Sequence, residues 1–268
     1  VPGTAIEKEN ATMGSLTGKR ALVTGGGQGI GKAIAEGLLA AGCDVAIHYH
    51  SSADGAAELA ERATALGRRF SAFAADLTDE AGAKAMVSGA VTFLGGLDVL
   101  VNNAGGLVAR HSLGEIDLAF WQTVADVNLT SLMMVTREAM PHLAEAGAAD
   151  GASIVNLASL AGRKGGHGGS LAYATMKGAI LTFTRGLSTE AAARGVRVNA
   201  VAPGLILGTQ FHNTHTTRES ADATIAEIPL KRAGRVEDVA RPVVFLASEY
   251  DGFITGETID INGGIYCA

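Results

Sequence analysis

Tyr173 and Lys177 stand four residues apart in Ser170 to Arg194, a stretch whose Ala and Leu content predicts a helix. Residues at i and i+4 share one helix face, so a phenol and an ammonium emerge side by side. That pairing has a chemical use. A phenol with a pKa of about 10 is a poor acid–base near neutrality. A nearby ammonium stabilises the phenolate and is expected to draw the value down toward the working range. Tyr173 would then give a proton to a carbonyl oxygen, or take one from an alcohol. By spacing alone, such a pair is more often two surface neighbours. Ser159 ends the run Asn156-Leu157-Ala158-Ser159, where a strand would deliver its hydroxyl to a sheet edge. There it can orient a substrate oxygen and stabilise its developing charge, or simply cap a turn. Asn128, in Asp126-Val127-Asn128-Leu129, falls inside a long helical stretch, where Asn is an indifferent helix former and needs a reason.

A second group of residues suits anion binding. Thr24-Gly25-Gly26-Gly27-Gln28-Gly29-Ile30-Gly31 follows an apolar run and opens a helical one. Glycines there permit φ > 0, let the backbone approach a pyrophosphate, and let helix and sheet pack closely. The helix N-terminus adds unpaired N–H groups and a favourable dipole. The plainer reading is a tight turn with no ligand, which a Gly-rich string alone does not exclude.

The elements that must position these residues alternate between short Val/Ile/Leu runs and longer Ala-rich amphipathic stretches, the pattern of a parallel sheet covered by helices. Strands are expected at Arg20 to Thr24, Asp44 to His50, Arg69 to Ala74, Val99 to Asn102, Ser153 to Leu157, Arg197 to Ala202 and Thr258 to Ile261. Helices are expected near Ile30 to Ala41, Ala53 to Leu66, Glu80 to Phe93, Asp117 to Ala146, Ser170 to Arg194 and Val236 to Ala247. The fold class is α/β: a single-domain, doubly wound Rossmann fold with a seven-stranded, mainly parallel sheet and helices on both faces. Leu205 to Asp222, polar and rich in Thr and His, reads as a mobile lid. The domain is expected to span 16–268, with Val1 to Ser15 a disordered extension or cloning remnant and Met13 an internal start.

Composition narrows the partners. A formal charge of −6 disfavours nucleic acid and anionic membranes, whose binding rests on clustered Lys and Arg. Only Cys43 and Cys267 are present, without metal-ligand spacing, which fits a reducing compartment and no metal. His212 and His215 lack the helix context and neighbouring carboxylate of a metal pair. With neither a membrane span nor a signal peptide visible, the expected location is cytoplasmic.

The glycine spacing at Gly25, Gly29 and Gly31 resembles that of the short-chain dehydrogenase/reductase family. The likeness runs from Leu16 to Gly264 with its motifs in order: Asp76, Asn102-Asn103-Ala104-Gly105, Asn128, Ser159, Tyr173-x-x-x-Lys177, Pro203-Gly204 and Gly263-Gly264. The resemblance implies an enzyme that transfers hydride between nicotinamide and a secondary alcohol or ketone, with Asn128, Ser159, Tyr173 and Lys177 as its catalytic group. It implies that Gly25, Gln28, Gly29, Ile30 and Gly31 hold the phosphates, and that Asp76 and Leu77 meet the adenine. Asp76 can equally be a helix cap, a role open to Asp79 as well. Asn103, Ala104 and Gly105 would pack against the cofactor and steady the sheet, while Lys177 would bind the nicotinamide ribose beside Tyr173. A local helix disruption at Asn128 and a water held between Asn128 and Lys177 would extend a proton relay, and Pro203, Gly204, Ile206 and Thr209 would hold the nicotinamide amide. Two departures are visible: Arg163 to Gly169 is about one residue longer than in many relatives, leaving the pocket wall open, and Gly208 adds a residue before Thr209.

No carboxylate ends the second strand, which reads His48-Tyr49-His50-Ser51-Ser52. His50, Ser51 and Ser52 can donate to a 2'-phosphate, favouring NADP over NAD, although Gln28 stands where many NADP users carry a base. The likeness is greatest to 3-oxoacyl carrier protein reductases and to sugar and polyol dehydrogenases. An acidic carrier protein calls for a basic surface, and only Arg194 supplies one, so a small free ketone, sugar or polyol is preferred. A non-catalytic NADP(H) sensor is the rival of another class, opposed by the presence of all four catalytic residue types. Small residues over Ala172 to Thr189 and in the long helix before it suit a homodimer or homotetramer, unless they pack only on the sheet.

Overall fold

The computed structural model describes residues 16–51, 54–248 and 252–268. The expectations for Val1 to Ser15 and for Ser52 lie outside the described residues. The apolar runs become β1 (Arg20–Val23), β2 (Asp44–Tyr49), β3 (Phe70–Ala74), β4 (Val99–Asn102), β5 (Ala152–Leu157), β6 (Val196–Pro203) and β7 (Thr258–Ile261). All pair in parallel in the order β3-β2-β1-β4-β5-β6-β7. The order reverses between β1 and β4, which opens a crevice at the carboxyl ends of the strands.

Side chains alternate between the two faces. Val23, Ile47, Val101 and Val155 pack with α1 (Gly29–Ala40), α2 (Asp54–Ala65) and α10 (Val236–Ala247). Leu22, Ala46, Leu100 and Ile154 pack on the other face with α3 (Glu80–Leu94) and α5 (Ser131–Asp150). Parallel strands buried on both sides explain why these runs are apolar throughout rather than alternating.

Three expectations are corrected. The single helical stretch expected from Asp117 to Ala146 is α4 (Leu118–Ala125) and α5 separated by one π-helical turn, Asp126–Thr130, at the disruption that the resemblance implies for Asn128. The Asn128 amide bonds the Val124 carbonyl at 3.0 Å and the Gly106 carbonyl at 2.8 Å, holding the widened turn. Arg163 and Lys164 belong to a short helix, α6 (Leu160–Lys164), rather than to a loop. The interruption from Leu205 to Asp222 contains α8 (Gln210–His215) and most of α9 (Arg218–Glu227). The threonines that make it look like loop are N-caps, Thr209 accepting from the His212 N–H and Thr217 from that of Ser220. The helix around the Tyr–Lys pair is α7 (Leu171–Ala192).

Candidate active site

The glycine turn is built against β4. A Cβ at Gly31 would lie 2.1 Å from the Gly25 carbonyl oxygen, so no side chain fits where α1 crosses the turn. Thr24 Oγ1 accepts the N–H groups of Asn103 and Ala104, each at 3.0 Å. Asn103 Nδ2 donates to the carbonyls of Thr24 and Gly25 at 2.9 and 3.0 Å. These four bonds lock the turn to the end of β4. Gln28, the residue before α1, is extended and exposed and its side chain makes no capping hydrogen bond, an arrangement that suits an anion at the first N–H groups of the helix. Ile30, partly buried, anchors that first helical turn to the core.

The catalytic candidates converge at the same crevice. Ser159, the N-cap of α6, accepts the Ala161 N–H at 3.1 Å, and its hydroxyl also hydrogen-bonds Tyr173. The same hydroxyl thus caps a helix and meets the phenol. Lys177 is buried, donates from Nζ to the Leu157 carbonyl at 2.7 Å, and lies 5.8 Å from the centre of the Tyr173 ring. A Cβ on Gly105 would fall 2.7 Å from Asn128 Oδ1 and 3.2 Å from Lys177 Nζ, so glycine brings the Asn103–Gly106 segment against both groups. Asn128 Oδ1 accepts the Gly106 N–H at 3.0 Å. Its side chain therefore holds the backbone beside Lys177.

The expected lowering of the Tyr173 pKa is not what the structure gives. Burial pushes the phenol up to about 12, against the smaller opposing pull of the Ser159 hydrogen bond. Burial also pushes Lys177 down to about 8. At 5.8 Å from the ring, the ammonium does not offset the loss of solvent around the phenol.

The other sequence-derived residues fall into two groups. Asp76 accepts from the Thr78 N–H and hydroxyl at 2.9 and 2.7 Å, while the cap of α3 is Asp79, which accepts from Gly82. The exposed Asp76 carboxylate is held below its ordinary range by those Thr78 bonds, with His50 adding to the effect. His50 and Ser51 are exposed at the end of β2. Thr209 is buried opposite the glycine turn, its Cγ2 3.6 Å from where a Cβ on Gly29 would sit. Leu77 and Ile206, in contrast, put their side chains into the core and leave only backbone for a ligand. Pro203 closes β6, and the Gly204 N–H donates to Ile261 at 2.9 Å.

His48 was not singled out by sequence. Buried in β2, it accepts the Gly25 N–H on Nδ1 at 3.2 Å, and Nε2 pairs with the Ala75 carbonyl at 3.1 Å. That fixes a neutral ring with the proton on Nε2, and burial lowers its pKa. The available signal was a titratable residue directly following the apolar run Val45-Ala46-Ile47 within a strand.

A family model described as enoyl-(acyl carrier protein) reductase matches residues 25–266. Nodulation protein G of Azospirillum brasilense is 38% identical, with 93% of this chain and 99% of that one covered. A 3-oxoacyl-[acyl-carrier-protein] reductase of Staphylococcus aureus is 36% identical over 92% of this chain and 98% of its own. Glucose 1-dehydrogenase 2 of Bacillus subtilis is 35% identical over 93% and 95%. Among solved structures, a variant of a Serratia marcescens short-chain dehydrogenase/reductase superposes with a TM-score of 0.86 at 33% identity, covering 94% of this chain and 99% of that one. The NADH-dependent reductase A1-R' complexed with NAD gives 0.85 at 35% identity, covering 96% and 100%. A blue fluorescent protein from a metagenomic library, in complex with NADPH, gives 0.86 at 35%, covering 94% and 100%.

Proposed function

The chain belongs to the short-chain dehydrogenase/reductase family of oxidoreductases, and we propose that it interconverts a secondary alcohol and a ketone with a nicotinamide cofactor. The observation that carries this reading is the meeting of Ser159, Tyr173 and Lys177 beside Gly105, at the crevice that the glycine turn borders. The uncapped α1, with Gly31 too close to Gly25 for any side chain, suits a pyrophosphate. Relatives with NAD or NADPH bound share the fold over nearly the whole chain. When bound, nicotinamide supplies or accepts the hydride.

The chain's own residues manage the oxygen and its proton. Ser159 orients the substrate oxygen and hydrogen-bonds Tyr173. With its pKa near 12, Tyr173 is fully protonated at neutral pH and gives its proton to that oxygen during reduction. Lys177, fixed by the Leu157 carbonyl, stabilises the phenolate left behind and is placed to bind ribose hydroxyls. Asn128 keeps the Gly105–Gly106 backbone against Lys177.

NADP is the preferred cofactor in this reading, because His50 and Ser51 can donate to a 2'-phosphate at the exposed end of β2. The substrate is a small free carbonyl compound or alcohol. A turnover screen over sugars, polyols, small ketones, oxo and hydroxy acids and 3-oxoacyl thioesters, with each cofactor, tests the function. Oxidation or reduction of nicotinamide with a small free substrate is expected. A chain that binds the cofactor but turns over none of these would instead be a sensor. In parallel titrations NADP should bind about tenfold or more tightly than NAD, and His50→Asp should reverse the order. Tighter NAD binding by the unaltered chain contradicts the preference.

A further inference from the structure

The three segments that leave the carboxyl ends of β4, β5 and β6 are joined by one side chain. Arg110 Nη1 donates to the Gly168 carbonyl at 3.0 Å and Nη2 to the His215 carbonyl at 3.2 Å, while the adjoining His111 N–H bonds the Gly169 carbonyl at 3.0 Å. Gly169 immediately precedes Ser170, the N-cap of α7, and Tyr173 lies in the first turn of that helix. The His111 ring stacks on Phe120 with centroids 4.1 Å apart, and Phe120 and Tyr173 pack against the same Val124, Ala172 and Met176 cluster. A cation thus sits among the segments that border the crevice, and the residue after it packs in the cluster that includes Tyr173.

Charge around this rim runs against that of the chain as a whole. The chain carries −6, yet segments 104–116, 160–170 and 204–217 hold Arg110, Arg163 and Lys164 together with His111, His167, His212 and His215, four of its seven histidines. The single carboxylate among them, Glu115, is committed to the Ser112 N–H and hydroxyl at 2.7 Å each. Arg163 is paired with Asp260. Arg110 has no carboxylate partner among the described residues and uses only two of the five N–H donors of a guanidinium. A polar atom is also left over: His111 Nδ1 is buried and makes no hydrogen bond. The field of Arg110 is felt nearby, since burial first, then Arg110 and His215, push His212 down to about 4.

We propose that Arg110 is a specificity-determining residue of this site and that the natural substrate is an oxo acid, or the matching hydroxy acid, whose carboxylate it binds. The inference rests on the oxidoreductase reading above and narrows its substrate class. A guanidinium already held by two carbonyls is pre-organised, and its remaining donors match a carboxylate in a fork geometry that a neutral ketone or polyol cannot exploit. Hydride and proton still go to the carbonyl carbon and oxygen. The carboxylate only fixes which end of the molecule faces Tyr173.

The test is the steady-state reduction, by the full chain with NADPH and with NADH, of oxo acids of increasing chain length, each beside its methyl ester. For the best length, kcat/KM for the acid should exceed that for the ester about tenfold or more, mainly through KM, and the advantage should shrink with added salt. Arg110→Gln, which keeps donors for the Gly168 and His215 carbonyls but loses the charge, should lower the acid-to-ester ratio about tenfold, and Arg110→Lys should restore part of it. A residue that merely latches the segments would lower both substrates together and leave the ratio unchanged, which would overturn the inference. Esters used as well as acids at every length would overturn it too, while leaving the oxidoreductase function standing. Absence of turnover with any carbonyl compound would overturn both.

Discussion

The protonation of two side chains separates what spacing shows from what packing decides. The i, i+4 relation of Tyr173 and Lys177 is legible in sequence, and the structure places them 5.8 Å apart, ring centre to ammonium. The direction of the tyrosine shift is not legible, because it depends on how much solvent the surrounding elements remove. The same burial makes Lys177 a linkage probe. Its folded pKa, about 8, lies below its ordinary 10.5, so between these values the unfolded chain holds a proton that the folded chain has released. Stability must therefore rise with pH across that window, and no such term operates below it. Comparing urea unfolding of the unaltered chain with that of Lys177→Met from pH 8 to 10 should show the difference shifting toward the unaltered chain by about 2 to 3 kcal/mol. A pH-independent difference would mean that the lysine keeps its ordinary pKa in the fold. Staying below pH 10 keeps the titration of Tyr173, shifted in the opposite sense, out of the comparison.

At the scale of elements, the strands were readable because burial on both faces requires continuous apolar runs, and every expected strand is present within a residue or two. The missed features come from side chains competing with or completing backbone bonds. Thr209 and Thr217 start helices inside a segment that reads as loop, whereas the π turn at Asn128 is the local helix disruption that the resemblance implies. His48 is the clearest case, a ring that ties the glycine turn of β1 to the end of β3. Replacing it by Leu leaves the Gly25 N–H and the Ala75 carbonyl unpaired and should cost about 1 to 3 kcal/mol of stability, measured by urea titration at neutral pH. Its lowered pKa gives the acid response a definite sign. As pH falls below the ordinary histidine range, the unfolded chain takes up the proton first, so stability is lost on acidification. His48→Asn, which has an acceptor and a donor but no titration, should lose less stability than the unaltered chain between pH 7 and pH 5. Equal losses would show that other groups govern the acid limb.

For the molecule as a whole, α5 and α7 leave Met133, Met140, Phe183 and Leu187 around an open groove whose rim includes Arg137 and Arg194. Many of the small residues of α7 are used within the chain, Ala172, Ala174 and Ala191 being buried there. If the chain self-associates, this groove between the two helices is the apolar surface that a second copy is expected to cover. Sedimentation at micromolar concentration should give a dimer or tetramer, and Met133→Glu should shift it toward monomer by placing a charge in an apolar contact. A monomer before substitution would rule the assembly out. No helix among the described residues is long and apolar enough to cross a membrane. The doubly wound sheet was legible from the alternation of runs alone. The substrate rim was not, because it is assembled from segments after three different strands that only the parallel topology brings together.

The most direct test of the central claim is a comparison of Tyr173→Phe with the unaltered chain, turnover and cofactor affinity being measured on the same preparations. If Tyr173 is the proton donor, turnover should fall by about 100- to 10,000-fold while the dissociation constant for NADP(H) changes far less. Turnover of the variant within about threefold of the unaltered chain, a loss well below that expected for general acid–base catalysis, would contradict it.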